Sequence, residues 1–145
     1  MRVSNGVGLL RMAACMVLVG VLRGQNIAYQ QDPNWRAPQE AAARRSPLAH
    51  KPEAAAGGQK LFHRNCTECH GEDGRGLAKK HAADLLLPAV QVQTDGTLFW
   101  KITNGNVDRG MPSFSKLPEM QRWQLVLYLR MLKQDVAPQA TGTKK

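Results

Sequence analysis

The chain holds only three cysteines in 145 residues, too few for a small fold stapled by several disulfides. Cys66 and Cys69 form a CxxC pair, yet neither a second CxxC nor an HxxxH follows. The four sulfur and nitrogen ligands of a structural zinc site are therefore missing. Strand signals are missing too. Within residues 54–134 no run of alternating β-branched residues exceeds Val90 to Val92, so the βαβ setting of a redox dithiol is not evident. No apolar run reaches the ~20 residues that a membrane-spanning helix requires. Acidic residues are scarce, 11 against 20 Lys and Arg, for a formal charge of +9. Aromatics make up 6% of the chain and form no stacking motif, so nucleic acid is not an expected partner despite the basicity.

What is present is Cys66-Thr67-Glu68-Cys69-His70, a CxxCH motif that reads as a covalent attachment site for c-type haem. Each thiol would add across one porphyrin vinyl group to give a thioether. Two intervening residues let the sulfurs reach vinyls on neighbouring edges of one ring. His70 then falls beneath the iron and coordinates through one imidazole nitrogen, while the other donates a hydrogen bond that orients the ring and raises its basicity. The expected cofactor is one covalent haem c.

The third cysteine, Cys15, lies in an apolar stretch from Met12 to Leu22 that follows Arg2 and Arg11. About a dozen apolar residues suit the core of a signal peptide and are short for a membrane span. Residues 1–24 are thus expected to be an export leader, with Gly24 and Ala28 both usable before the cut. The protein is expected in the periplasm, and contact with a membrane only if the leader is retained. Once the leader is removed, no stray thiol accompanies the haem-bound pair into an oxidising compartment.

Residues 25–53 are rich in Gln, Ala, Pro and Arg and read as a linker or a surface-wrapping arm, with a short helical turn at 39–45. The folded domain is expected at 54–134, followed by a disordered tail at 135–145. Only helices are evident in the domain. The first, at 54–65, feeds into Cys66 and carries Gly58 and Phe62 on one face. The second begins at Thr94, a good N-cap followed by Asp95, and stops at Asn104-Gly105. The last opens with Pro118 and Glu119 and runs to Leu132. Leu125, Tyr128, Leu129 and Leu132 form its apolar stripe, with Arg122, Arg130 and Lys133 on the wet side. This stripe is expected to cross the first helix at Gly58.

From about residue 54 to 132 the chain resembles the small, bacterial, mono-haem class I cytochromes c grouped with the cbb3-type cytochrome c domains. The residues that carry the resemblance are Gly58 and Phe62, the CxxCH motif with Gly71, Gly74 and Gly76, and the segment Leu98-Phe99-Trp100-Lys101-Ile102-Thr103-Asn104-Gly105. They continue with Gly110-Met111-Pro112-Ser113-Phe114, Trp123-Gln124-Leu125-Val126 and Tyr128. The resemblance implies an all-α cytochrome c fold of three or more helices wrapped around one covalently attached haem. It sets Gly58 and Phe62 against Tyr128, and it implies Met111 as the sixth ligand opposite His70. The cofactor-binding residues are then Cys66, Cys69, His70 and Met111, the last two on the metal. A soft, uncharged thioether beside an imidazole raises the reduction potential relative to two nitrogens.

Other candidate ligands fit less well: Met120 and Met131 lie on the last helix, His50 and His63 precede the motif, and His81 sits in the loop after it. Relatives often carry a proline in that loop that presents its carbonyl to the axial histidine. This chain has Ala82-Ala83-Asp84-Leu85, which leaves the carbonyl of Ala82, or else Pro88, for the role. Phe62, Leu85, Leu98, Trp100, Ile102 and Phe114 are candidate haem liners.

An iron with both axial positions filled implies a one-electron carrier, not an enzyme, working between a dehydrogenase-type donor and a respiratory acceptor. The alternative is a haem enzyme or gas-sensing domain with a labile sixth ligand. Without Arg2, Arg11 and Arg23 the formal charge falls from +9 to +6. Lys79, Lys80, Lys101, Arg109 and Lys116 are expected on loops around the haem, where they would steer a monomer to acidic patches on redox partner proteins.

Overall fold

The computed structural model describes residues 31–136. The leader with Cys15, and tail residues 137–145, lie outside the described residues. Helix follows helix without strands among them: α1 (Gln39–Ala42), α2 (Ala55–Asn65), α3 (Thr67–His70), α4 (Pro88–Gln91), α5 (Asp95–Asn104) and α6 (Glu119–Val136), with 3-10 turns at Pro52–Ala54, Ala78–Lys80 and Val107–Arg109. This is the all-α architecture that the sequence predicts. Among the described residues no helix is long and apolar enough to cross a membrane.

Local chemistry sets the ends of the long helices. Thr94 caps α5, its Oγ1 accepting the Thr97 amide at 3.1 Å, and Asp95 follows at the positive end of the helix dipole. Pro118 stands immediately before α6, its carbonyl accepting the Gln121 and Arg122 amides. The helix continues beyond Leu132 to Val136.

The domain turns on the crossing of α2 with α6. A Cβ built on Gly58 would lie 2.0 Å from the carbonyl oxygen of Gln124 and 2.9 Å from Cβ of Tyr128. The two backbones are in direct contact there, which any side chain would prevent. One turn on, the Phe62 and Tyr128 rings meet with centroids 5.4 Å apart, the pairing that the resemblance implies. Phe62 is 1% exposed, and burying a side chain of that size contributes about 1.5–3 kcal/mol.

α6 buries more than its predicted stripe. Leu125, Tyr128, Leu129 and Leu132 are all buried, and so are Trp123 and Val126. The reason is a second neighbour: α5 covers an adjacent face, where Phe99 stacks on Trp123 at 4.1 Å between centroids. The arginines assigned to the wet side are correspondingly engaged. Arg122 donates to Thr103 Oγ1 at 2.6 Å. Arg130 binds Asp95 Oδ1 at 2.9 Å and the carbonyls of Gln91 and Gln93, tying α6 to the link between α4 and α5.

Adjacent glycines separate two effects. Gly58→Ala forces helix backbones apart, and overpacking of that kind costs about 1–3 kcal/mol or more. At Gly57 an added Cβ would meet only the amide end of Gln124, which can swing away, and alanine gains up to about 1 kcal/mol of helix propensity. Denaturant titration of the two variants should therefore move the midpoint down for Gly58→Ala and leave it level or raised for Gly57→Ala.

Candidate functional site

α2 ends where Cys66 leaves helical geometry at φ −121°. Its amide still bonds to the Phe62 carbonyl at 2.8 Å, so the turn stays anchored to the core. The Cys66 carbonyl in turn accepts the amides of Cys69 and His70 at 3.1 and 2.8 Å. One tight turn thereby brings Cys66, Cys69 and His70 to a single cavity of about 630 Å³, whose wall also includes Met111.

The loop after the motif folds back beneath the histidine. Gly76 and Leu77 return their amides to the carbonyls of His70 and Cys69, both at 2.8 Å. Gly76 has φ +76°, and a Cβ there would sit 2.3 Å from the Ala82 carbonyl oxygen. His81 reverses the chain at φ 49°, and the Ala83 carbonyl arrives 3.0 Å from His70 Nδ1. The acceptor is thus Ala83, neither of the two candidates, Ala82 and Pro88, that the sequence offered. Pro88 opens α4 instead. The registration is held by Asp84, 1% exposed, whose Oδ1 accepts the Leu86 amide at 2.8 Å.

A carbonyl only accepts, so His70 carries its proton on Nδ1 and keeps the Nε2 lone pair. Burial depresses the His70 pKa, and the Ala83 bond opposes this only in part. The imidazole is therefore neutral, as a metal ligand must be. The Cys66 thiol is pushed up to about 12, by burial first and by Cys69 second. Disulfide oxidoreductases depend on an easily formed thiolate, and Cys66 lacks that property.

Met111 sits at the end of a short hairpin. Its amide and carbonyl pair with those of Asn106, the Asn106 amide donating at 2.9 Å and the Met111 amide at 3.0 Å. Phe114 follows, its amide bonded to the Ile102 carbonyl at 3.2 Å. The rejected candidates lie elsewhere, with one exception. His50 and Met120 are exposed, and His63 contacts Glu72 at 2.6 Å. His81 does line the cavity.

Phe62, Leu85, Leu98, Ile102 and Phe114 line the cavity as predicted, whereas Trp100 does not. On α5, Trp100 is two positions from Leu98 and Ile102, and that spacing turns it away from their face. Lys101 departs further from expectation. It lies within α5, is 8% exposed, lines the cavity and carries its ammonium 4.4 Å from the centre of the Trp35 ring. Desolvation lowers its pKa. Among the other basic residues predicted at the rim, Lys80 pairs with Glu68 at 2.7 Å and Arg109 faces Asp32 at 3.6 Å.

Sequence reading missed Gln31, Trp35 and Gln93, which also line the cavity. The one available signal was Trp35 itself, an isolated large aromatic in a polar stretch. Trp35 donates its indole N–H to the Gly105 carbonyl at 2.8 Å.

The residues present suit a haem. The cavity's volume falls within the roughly 300–1,000 Å³ of small-molecule and cofactor sites. Its walls are mainly apolar. It gathers two thiols, a neutral imidazole and a thioether. The Lys101 ammonium, set over the Trp35 ring at the cavity wall, offers a counter-charge for a haem carboxylate. The comparisons agree with this chemistry. The family model described as cytochrome c oxidase, cbb3-type, subunit III matches residues 53–129, more than half of the chain. The chain belongs to this family of cytochrome c domains and is an electron-transfer haem protein. No curated protein matches the sequence.

The support beneath His70 can be tested through Gly76. Gly76→Ala pairs a strained positive φ with a clash on the carbonyls of Ala82 and Ala83, and should cost about 1–3 kcal/mol. Thermal unfolding of the haem-loaded protein should show a lower midpoint than wild type.

Proposed function

We propose that this chain is a mono-haem, one-electron carrier of the periplasm, passing electrons from a dehydrogenase-type donor to a respiratory acceptor. Cys66 and Cys69 bind haem through thioethers, and His70 and Met111 are the axial ligands. The observation that carries the reading is the convergence of these four residues on one apolar cavity, with His70 held as a neutral Nδ1–H tautomer by Ala83.

When bound, the haem supplies an iron centre that exchanges one electron. The chain does the rest. His70 and Met111 would hold the iron together and leave it no open site for a substrate, which would make the protein a carrier rather than a catalyst. The Ala83 carbonyl orients the imidazole and would strengthen it as a donor, while the Met111 thioether would pull the potential the other way. Phe62, Leu98, Ile102 and Phe114 exclude water, which reduces the reorganisation that accompanies a change of charge. Residues 1–24 act as an export leader, the mature chain works as a monomer, and paired use of Cys66 and Cys69 suits an oxidising compartment.

Protein matured in a periplasm should weigh one haem more than its polypeptide. Oxidised protein should show the weak long-wavelength band of methionine sulfur on ferric haem, and Met111→Ala should abolish it. Carbon monoxide added to reduced wild type should bind only slowly, at a rate limited by loss of the sixth ligand; rapid binding would instead indicate a labile sixth ligand and an enzyme or gas sensor.

Docking on acidic partners rests on Lys79 and Lys116, both exposed; the buried Lys101 takes no part. Electron-transfer rates measured by stopped flow should fall as ionic strength rises toward physiological values, where the Debye length shrinks to about 8 Å. Lys79→Glu combined with Lys116→Glu should flatten that dependence.

A further inference from the structure

The segment from Gln31 to Pro52 lies ahead of the region that matches the family, yet it is built into the site. Its far part is fastened to the body of the domain. Leu48 is 5% exposed within the core, and Thr94 Oγ1 donates to the Ala42 carbonyl at 2.7 Å. Arg44 pairs with Glu119 and stacks over Phe99 at 4.6 Å.

Its near part grips the hairpin that carries Met111. Trp35 Nε1–H bonds to the carbonyl of Gly105, the residue at which α5 ends and the hairpin begins, at 2.8 Å. Asp32 holds the next residue and the turn: Oδ2 accepts from Asn106 Nδ2 at 3.3 Å and faces Arg109 Nε at 3.6 Å. Oδ1 is fixed by the Asn34 amide at 2.9 Å. Asn106 is the residue paired directly with Met111 across the hairpin. Only one residue therefore separates the Asp32 carboxylate from the Met111 backbone.

We propose that Asp32 and Trp35 are positioning residues for Met111: the N-terminal arm latches the hairpin and so sets how firmly the sixth ligand stays on the iron. This rests on the reading of Met111 as that ligand. The physical argument is a two-state one. A thioether leaves the iron when the Asn106–Met111 hairpin swings away from the cavity, and contacts made only in the closed state oppose that motion. The hairpin itself closes with one pair of backbone hydrogen bonds. The arm adds an indole N–H bond and a carboxylate contact, and hydrogen bonds to charged groups are the stronger kind.

The test uses the full-length, haem-loaded protein with Asp32→Ala, Asp32→Asn, Trp35→Phe and, as control, Arg44→Ala. Arg44 fastens the arm at Glu119 and Phe99 rather than at the hairpin. Carbon monoxide traps the open state of the reduced protein, so its binding rate reports hairpin opening. The methionine band reports ligation in the oxidised protein, and far-UV circular dichroism reports the fold. Asp32→Ala and Trp35→Phe should bind carbon monoxide about tenfold faster than wild type, equivalent to ~1.4 kcal/mol of lost closed-state preference. They should also lose the methionine band at a temperature well below helix unfolding. Asp32→Asn, which keeps an acceptor oxygen for Asn106, should fall between Asp32→Ala and wild type. Arg44→Ala should lower the unfolding midpoint without altering the carbon monoxide rate. Wild-type rates and band stability in both Asp32→Ala and Trp35→Phe would overturn the proposal. Equal acceleration in Arg44→Ala would do so as well, since the arm would then act only through general stability. Absence of the methionine band from wild type is a separate failure, that of Met111 as ligand, and the proposal falls with it.

Discussion

Backbone contact between α2 and α6 at Gly58 is the constraint from which the rest of the domain is built. It lays α2 on α6 at a fixed height and direction, so that Phe62 meets Tyr128 and the last turn of α2 delivers Cys66 to the cavity mouth. Every later placement inherits that aim. The Cys66 carbonyl organises α3, α3 presents His70, and the loop beneath turns back on the carbonyls of Cys69 and His70. A glycine in a helix is costly in isolation; here it permits a crossing that side chains would prop open.

The same burial that stabilises the core sets the chemistry of the site. An apolar surround favours uncharged forms, so His70 is kept neutral and the Cys66 thiol is held as a thiol. Burial is the larger cause in both cases. Lys101 brings a cation to the cavity wall, where the Trp35 face partly compensates its lost hydration and a carboxylated cofactor would complete the compensation. The arrangement suits a large, flat, mostly apolar group with acidic edges better than it suits a small polar substrate.

The N-terminal arm alters the idea of where this domain begins. The family match starts at residue 53, but Leu48 fills the core and Trp35 and Gln31 form part of the cavity wall. An arm that contributes to the wall and bonds to the hairpin carrying Met111 makes the cavity depend on residues outside both motifs.

Much of this was legible in the chain itself, because the informative features are local. The spacing in Cys66-Thr67-Glu68-Cys69-His70 dictates a one-turn arrangement wherever it occurs, and Thr94-Asp95 and Pro118-Glu119 mark helix starts by chemistry confined to a few residues. Sequence alone therefore determined the all-α class, the main helices, most of the apolar liners and the two segments that meet at the cavity. What it did not reveal are relations between distant segments. Whether Ala82 or Ala83 faces His70 depends on the reversal at His81. The burial of Lys101, the engagement of Arg122 and Arg130, and the turning away of Trp100 depend on which neighbours cover each helix face, and periodicity counts faces without naming what packs on them. The role of Trp35 was hidden for the same reason: its partner, the Gly105 carbonyl, lies 70 residues away, and only the folded chain brings the two together.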